Sequence, residues 1–310
     1  MMRVYLRERP RSFCTINTIK HLNMDYKRRE FLKLTGTFAS GIALTGVASQ
    51  LAGCGSTSKL SGNNNTFGLQ LYSLRDDLPK DPKGVLRQVA SFGYEQLEGF
   101  EGGKGMYWGM TNTEFKSFTN DLGMQMISSH CNWKQNLEKK ADEAAAIGLK
   151  YLMCPYLGAQ KTLDLYKKAA EDFNKAGQIC KQRGIRFAYH NHDYSFKKVE
   201  GQIPQDVLMQ NTDKELVDFE LDMYWVVAAG EDPKAWFQKY PGRFKLGHVK
   251  DRGGKETTTL GKGNIDYPTI LKDAQKGGME YFIVEQEQYE GTTPLAAVKD
   301  DAEYMKRLKI

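Results

Sequence analysis

Phe187-Ala188-Tyr189-His190-Asn191-His192 is an apolar run that ends in two histidines, and three later runs end in comparable fashion. Val217-Asp218-Phe219-Glu220-Leu221-Asp222 finishes on an acid. Lys245-Leu246-Gly247-His248-Val249-Lys250-Asp251 carries a histidine and a lysine, and Phe282-Ile283-Val284-Glu285-Gln286-Glu287 ends in two glutamates. Side chains alternate along a β-strand, so residues two apart share a face. One face therefore holds Ala188, His190 and His192, the next Asp218, Glu220 and Asp222. The last two hold Leu246, His248 and Lys250, then Ile283, Glu285 and Glu287. Polar side chains facing inward are costly unless paired or ligated. Four successive strands ending this way predict one convergent site.

Working outward, short apolar runs begin near Phe67, Tyr94, Gln125, Tyr151, Ile185, Leu216, Phe244 and Tyr281. Helical patterns lie between them, as in Lys83 to Ser91, Asn112 to Leu122, Leu137 to Ile147 and Leu163 to Gln182. Several end on glycine just before the next strand, for example Ala145-Ala146-Ile147-Gly148 and Lys181-Gln182-Arg183-Gly184. Glycine tolerates the left-handed conformation that stops a helix. Eight such units in about 245 residues predict an α/β fold, a single (β/α)8 TIM barrel over residues 66–310. A doubly wound sheet would show a Gly-rich turn after its first strand. Here that place reads Gln70-Leu71-Tyr72-Ser73-Leu74-Arg75.

Residues 1–53 read as a signal segment. Lys27-Arg28-Arg29-Glu30-Phe31-Leu32-Lys33 resembles a twin-arginine export motif, and Leu34 to Gly53 carries no charge. The run approaches the length of a membrane span, but its Gly, Ser, Thr and Ala content and basic flank suit a signal peptide better than an uncleaved anchor. Leu51-Ala52-Gly53-Cys54 resembles a lipobox, which marks Cys54 for lipidation and the mature protein for the periplasmic side of the envelope. Residues 54–65 are small and polar and read as a flexible tether. Met24 is a second candidate start.

The net charge of +6 belongs to the leader, which holds nine Lys/Arg and three Asp/Glu. From Cys54 onward 35 basic and 35 acidic residues balance, with none of the basic excess expected of a nucleic-acid binder. Cys131, Cys154 and Cys180 lack metal-knuckle spacing and read as buried hydrophobes. Of five histidines, His21 lies in the leader and the other four fall at strand ends, His130 closing Met126-Ile127-Ser128-Ser129-His130. With Asp222 and Glu285 they read as a metal site.

Tyr189-His190-Asn191-His192-Asp193, Leu221-Asp222-Met223-Tyr224-Trp225, His248-Val249-Lys250-Asp251 and Val284-Glu285 occur in this order, with Gly261-Lys262-Gly263-Asn264-Ile265-Asp266 as a supporting loop. In these motifs the chain, from about Thr66 to Ile310, resembles the sugar phosphate isomerase/epimerase family. Those are xylose isomerase-like barrels, whose superfamily includes endonuclease IV-type enzymes. Many members hold one divalent metal with Glu, Asp, His and Glu from the fifth to eighth strands. The resemblance implies Asp222, His248 and Glu285 as three of the ligands, while His190 stands where the family has its first glutamate. His192 is the alternative ligand at that corner. Two imidazoles and two carboxylates suit Mn, Zn, Co or Fe better than Mg.

The implied activity is isomerisation or epimerisation of a sugar or keto-sugar through a metal-stabilised enediolate. With His190 in place of a glutamate, the family's two-glutamate acid/base pair is in doubt. Glu285, His192, Glu98 and Lys250 are the candidate catalytic groups; His130, Trp225 and Tyr72 are candidate substrate contacts. Each has a plainer reading: Glu98 as a rim charge, His130 as a satisfied histidine, Lys250 as the partner of a carboxylate, the aromatics as packing at the mouth. The enzymatic alternative is a lyase or hydratase acting on a 3-keto-glycoside, because export separates the protein from sugar phosphates. A phosphodiesterase for damaged DNA would need more histidines and a basic face, and an inactive sugar-binding barrel would not need all four ligands. The oligomeric state is left open. Replacing Cys54→Ser is expected to move the protein from the membrane to the soluble fraction, since several acyl chains hold firmly where one does not; fractionation of the native host checks this, and an intact, unmodified leader by mass spectrometry would count against it.

Overall fold

The computed structural model describes residues 66–309. The signal segment, Cys54 and the tether lie outside the described residues. No helix among the described residues is long and apolar enough to cross a membrane.

Eight parallel strands close into a barrel. They are β1 (Gly68–Gln70), β2 (Gln96–Phe100), β3 (Gln125–His130), β4 (Tyr151–Cys154), β5 (Arg186–His190), β6 (Val217–Asp222), β7 (Phe244–Val249) and β10 (Tyr281–Val284). Each pairs in parallel with its sequence neighbour around the ring, and β1 closes it against β10 through Gly68–Ile283 and Leu69–Val284. Between β7 and β10 the chain adds a short antiparallel hairpin, β8 (Asp251–Gly253) and β9 (Glu256–Thr258). The sequence reading did not anticipate it.

The connecting helices are α1 (Pro82–Ser91), α2 (Asn112–Asp121), α3 (Leu137–Ile147), α4 (Leu163–Lys181), α5 (Pro204–Asn211), α6 (Met223–Ala228), α7 (Pro233–Lys239), α8 (Tyr267–Lys276) and α9 (Pro294–Arg307). Their starts follow local chemistry. Thr111 and Glu114 form a capping box on α2, and Asp81, Thr162 and Thr293 accept first-turn N–H groups on α1, α4 and α9. At the other end, Gly148 and Gly184 take φ of 87° and 74°, releasing the chain into β4 and β5.

Strand alternation divides the core in two. Phe187 and Tyr189 point outward, where Phe173 of α4 lies 5.2 Å from the Tyr189 ring. Ala188 points inward and packs with Tyr151, Met153, Leu246 and Ile283, a small apolar plug across the barrel axis. Below that plug Arg186 pairs with Asp218, its Nη2 donating to Oδ1 at 2.9 Å. Above it lie the buried polar side chains Glu98 of β2, Glu220 and Asp222 of β6, His248 of β7 and then Lys250 just beyond β7. The barrel thus places apolar and polar layers in turn along the same strands.

Helix α4 meets β6 across Gly177, where a Cβ would fall 2.6 Å from the Leu216 carbonyl oxygen and 2.9 Å from its carbon. Glycine to alanine inside a helix ordinarily gains up to about 1 kcal/mol. Overpacking against backbone typically costs about 1–3 kcal/mol, so Gly177→Ala is expected to lower the urea midpoint. A raised midpoint would show that the helix can move away freely.

Candidate active site

β6 carries Glu220 and Asp222 one above the other, and β7 faces both with His248. His248 meets carboxylates on each side of its ring. Its Nε2 is 2.7 Å from Glu98 Oε1 and 3.3 Å from Glu220 Oε2. Its Nδ1 is 3.1 Å from Glu285 Oε2 and 3.6 Å from Asp222 Oδ2, yet makes no hydrogen bond. His190 Nε2 lies 3.3 Å from the same Asp222 oxygen, while its Nδ1 faces the Pro155 carbonyl at 3.1 Å. Asp222 is held further by Asn191, whose Oδ1 accepts from its backbone N–H at 3.0 Å. The upper group is therefore His190, Asp222, His248 and Glu285, all buried, with one donor atom each within 4.8 Å of the others.

These residues fit a divalent metal. Ligands about 2.0–2.2 Å from a common centre stand roughly as far apart as the 3.1–3.6 Å seen among these donors. The unpartnered Nδ1 of His248 points at two of them. The structure brings His190 to this group; His192 stands outside it. His192 lies beyond the end of β5, its ring parallel to Tyr194 at 5.6 Å and edge-on to Tyr156 at 5.0 Å. Burial, with His190 and Lys250 nearby, lowers its pKa to about 2.

Lys250 is wholly buried, and its ammonium touches three carboxylates. Nζ lies 2.6 Å from Glu285 Oε2, 2.6 Å from Glu287 Oε1 and 2.9 Å from Asp222 Oδ2. Burial disfavours the charged amine, but Asp222, Glu285 and Glu287 outweigh it and raise its pKa well above the ordinary value. Burial likewise raises the Asp222 and Glu285 carboxyls, but Lys250, His190 and His248 together outweigh it and hold both well below the usual range. A carboxylate oxygen has lone pairs for two partners, so Lys250 and a metal can share Asp222 and Glu285.

Beneath lies a second group, Glu98, His130, Glu220 and His248. Glu98 is no rim charge. It is fully buried, and its oxygens accept from Gln70 Nε2 at 2.7 Å and Ser128 Oγ at 2.5 Å. His130 Nε2 lies 2.9 Å from Glu220 Oε2 and 3.2 Å from Glu98 Oε1. Burial lowers the His130 pKa and the two carboxylates raise it further, to about 9. Burial and Glu98 push Glu220 up to about 7.

The mouth above β1 to β4 opens into a cavity of about 390 Å³ lined by Tyr72, Phe100, Trp133, Lys134, Tyr156 and His130, among others. Tyr72 and Tyr156 are exposed on its walls. Trp225 is not among the lining residues; its ring stands 5.4 Å from His192, with Lys250 Nζ 5.4 Å from its centroid. A roomier hollow near Glu95, Lys116 and Lys150 lies at the amino end of the strands, and no histidine among the described residues lines it.

This arrangement decides the kinship. The sequence pattern of the xylose isomerase-like TIM barrel family matches residues 86–308. The chain belongs to the xylose isomerase-like TIM barrel family. Within it, a sugar phosphate isomerase/epimerase from Parabacteroides distasonis superposes with a TM-score of 0.72 at 32% identity, covering 78% of this chain and 98% of that one. An inosose dehydratase from Clostridium perfringens is 32% identical over 143 residues, 40% of this chain and 48% of that protein. The chain spans about half the length of the curated relatives it matches. The IolI protein, solved with a bound zinc atom, shares the fold at 13% identity and a TM-score of 0.62, over 78% of this chain and 96% of that one.

Several site residues of this xylose isomerase-like barrel had no role assigned from sequence: Glu220, Glu287, Gln70 and Ser128. Glu220 and Glu287 share a strand face with Asp222 and Glu285, a signal that was legible. Gln70 and Ser128 carry none. The loop Gly261-Lys262-Gly263 is internal bracing, because Asp251 accepts the N–H groups of Gly261, Gly263 and Ile265. Since Glu98 sets the Nε2 side of His248, Glu98→Gln is expected to weaken divalent-metal binding about 10–100-fold; calorimetric titration with Mn or Zn measures it, and unchanged affinity would separate the two groups.

Proposed function

We propose that this barrel removes the proton α to the carbonyl of a keto-sugar or keto-cyclitol and expels the substituent on the next carbon, as a lyase. The convergence of His190, Asp222, His248 and Glu285 carries this reading. A divalent cation held by those four residues would supply a Lewis acid for the carbonyl oxygen. Glu285 is the proposed base. Its Oε2 accepts from Lys250 Nζ at 2.6 Å with His248 Nδ1 3.1 Å away, which leaves Oε1 as the oxygen proposed to take the proton. Lys250 fixes the carboxylate and balances its charge from within the wall; being wholly buried, it acts through Glu285 and Glu287. His190 orients Asp222, and its own Nδ1 is committed to the Pro155 carbonyl.

Elimination is favoured over epimerisation because β5 contributes His190, and the other carboxylate of the upper group, Asp222, is already held by Lys250, His190 and the Trp225 N–H, so Glu285 has no second free carboxylate to act as its acid/base partner. The name of the inosose dehydratase relatives, a dehydration at a keto-cyclitol, supports the same reading. Isomerisation with a single base is the second reading, supported by the Parabacteroides distasonis neighbour. The leader supports a place at the cell envelope, lipid-anchored through Cys54, where free keto-sugars or keto-glycosides are the accessible class.

Incubation with an inosose and with a 3-keto-glucoside in D2O is expected to give an unsaturated ketone with loss of water or alcohol, and deuterium at the α-carbon of recovered substrate. A product of unchanged mass would select isomerisation. Glu285→Gln is expected to reduce both exchange and turnover by about 10²–10⁴-fold. Full turnover after chelation, with no exchange on any keto-sugar, would overturn the reading.

A further inference from the structure

Elimination needs a proton for the departing oxygen as well as a base for the carbon. His130 is placed for that second role. It closes β3, and its ring stacks 5.6 Å from His248 and lies 5.1 Å from His190. Glu220 from β6 and Glu98 from β2 both face Nε2, at 2.9 Å and 3.2 Å, and Glu98 is itself pinned by Gln70 and Ser128. An imidazole oriented at one nitrogen by a carboxylate presents the other to a reacting group. Nδ1 of His130 makes no hydrogen bond among the described residues, and the side chain, 9% exposed, lines the mouth cavity beside Phe100 and Trp133.

The two ring nitrogens of His248 set the geometry. Nδ1 faces Glu285, and Nε2 faces the carboxylates that hold His130. Base and acid therefore stand on opposite sides of one imidazole, with the aromatic cavity on the acid's side.

We propose that His130, oriented by Glu220 and Glu98, donates its Nδ1 proton to the oxygen expelled into the mouth cavity, and that this cavity receives the leaving group. The inference rests on the α-proton reading above. The α-carbon–hydrogen bond breaks and Glu285 takes the proton. A carbon–carbon double bond forms, and the bond from the β-carbon to its oxygen breaks. That oxygen takes the proton from His130, so a keto-glycoside becomes an unsaturated ketone and an alcohol, with no change in oxidation state. Glu285 and His130 then exchange their protons with water. A cavity of about 390 Å³ with aromatic walls accommodates a sugar or aromatic alcohol and not only water, which makes a glycoside the expected class of substrate.

The test pairs methyl and 4-nitrophenyl 3-keto-β-glucopyranosides. Nitrophenolate departs without a proton, whereas methoxide does not. His130→Gln is expected to slow methanol release about 10²–10⁴-fold, to leave nitrophenol release within a few-fold of the wild type (roughly the scatter of a structural change), and to retain α-deuterium exchange. Glu220→Gln should show the same dependence on leaving group more weakly, and serves if His130→Gln does not fold. Equal slowing of both glycosides, or loss of exchange together with release, would overturn the assignment while leaving the α-proton reading intact. No exchange and no release by the wild type on either glycoside would overturn both.

Discussion

Glu98, Glu220, Asp222 and Glu285 are all buried at one end of a single barrel, with Glu287 beside them. An isolated buried carboxylate is strongly disfavoured, and removing one partner of a buried pair typically costs about 3–5 kcal/mol. Lys250, His248 and His130 are what make this layer tolerable, because each stands within hydrogen-bonding distance of at least one of these carboxylates and Lys250 of three. The charges are arranged as a lattice rather than as pairs. No member can change without leaving a neighbour uncompensated, and the upper corner of that lattice is where four donors come together.

The same constraint explains the division of the barrel interior. Tyr151, Met153, Ala188, Leu246 and Ile283 close the lower half, so water does not reach the polar layer from below. The polar groups can then be satisfied only by one another or by something arriving through the mouth. Where satisfaction is complete, as at Glu98, the residues serve as a frame. At His248 Nδ1 and Glu220 Oε1, buried and without a hydrogen bond among the described residues, it is not. Incomplete satisfaction in a native interior marks places held ready for a ligand or a proton.

Much of this was legible from strand periodicity. Once a run such as Val217 to Asp222 is taken as a strand, Asp218, Glu220 and Asp222 must share its inner face, and the structure stacks them in that order from the Arg186 pair to the upper group. The four helices bounded from the sequence, Lys83 to Ser91, Asn112 to Leu122, Leu137 to Ile147 and Leu163 to Gln182, agree with α1 to α4 to within a residue. The hairpin Asp251–Thr258 was not legible, because its short polar strands carry no apolar alternation. Glu98 read equally well as a base or a rim charge; only closure of β1 and β3 around β2 buries it.

The sequence by itself determined the order of the eight barrel strands, their inward faces and the residue types those faces would bring to one end, because a strand's period of two is a local property of the backbone. Tertiary structure alone decided that His190 rather than His192 reaches Asp222, that Lys250 is shared among three carboxylates, and that His248 divides its two nitrogens between two groups. Those outcomes depend on strand stagger and barrel closure. They set distances between residues as far apart as Glu98 and His248, and no local pattern in the chain records them.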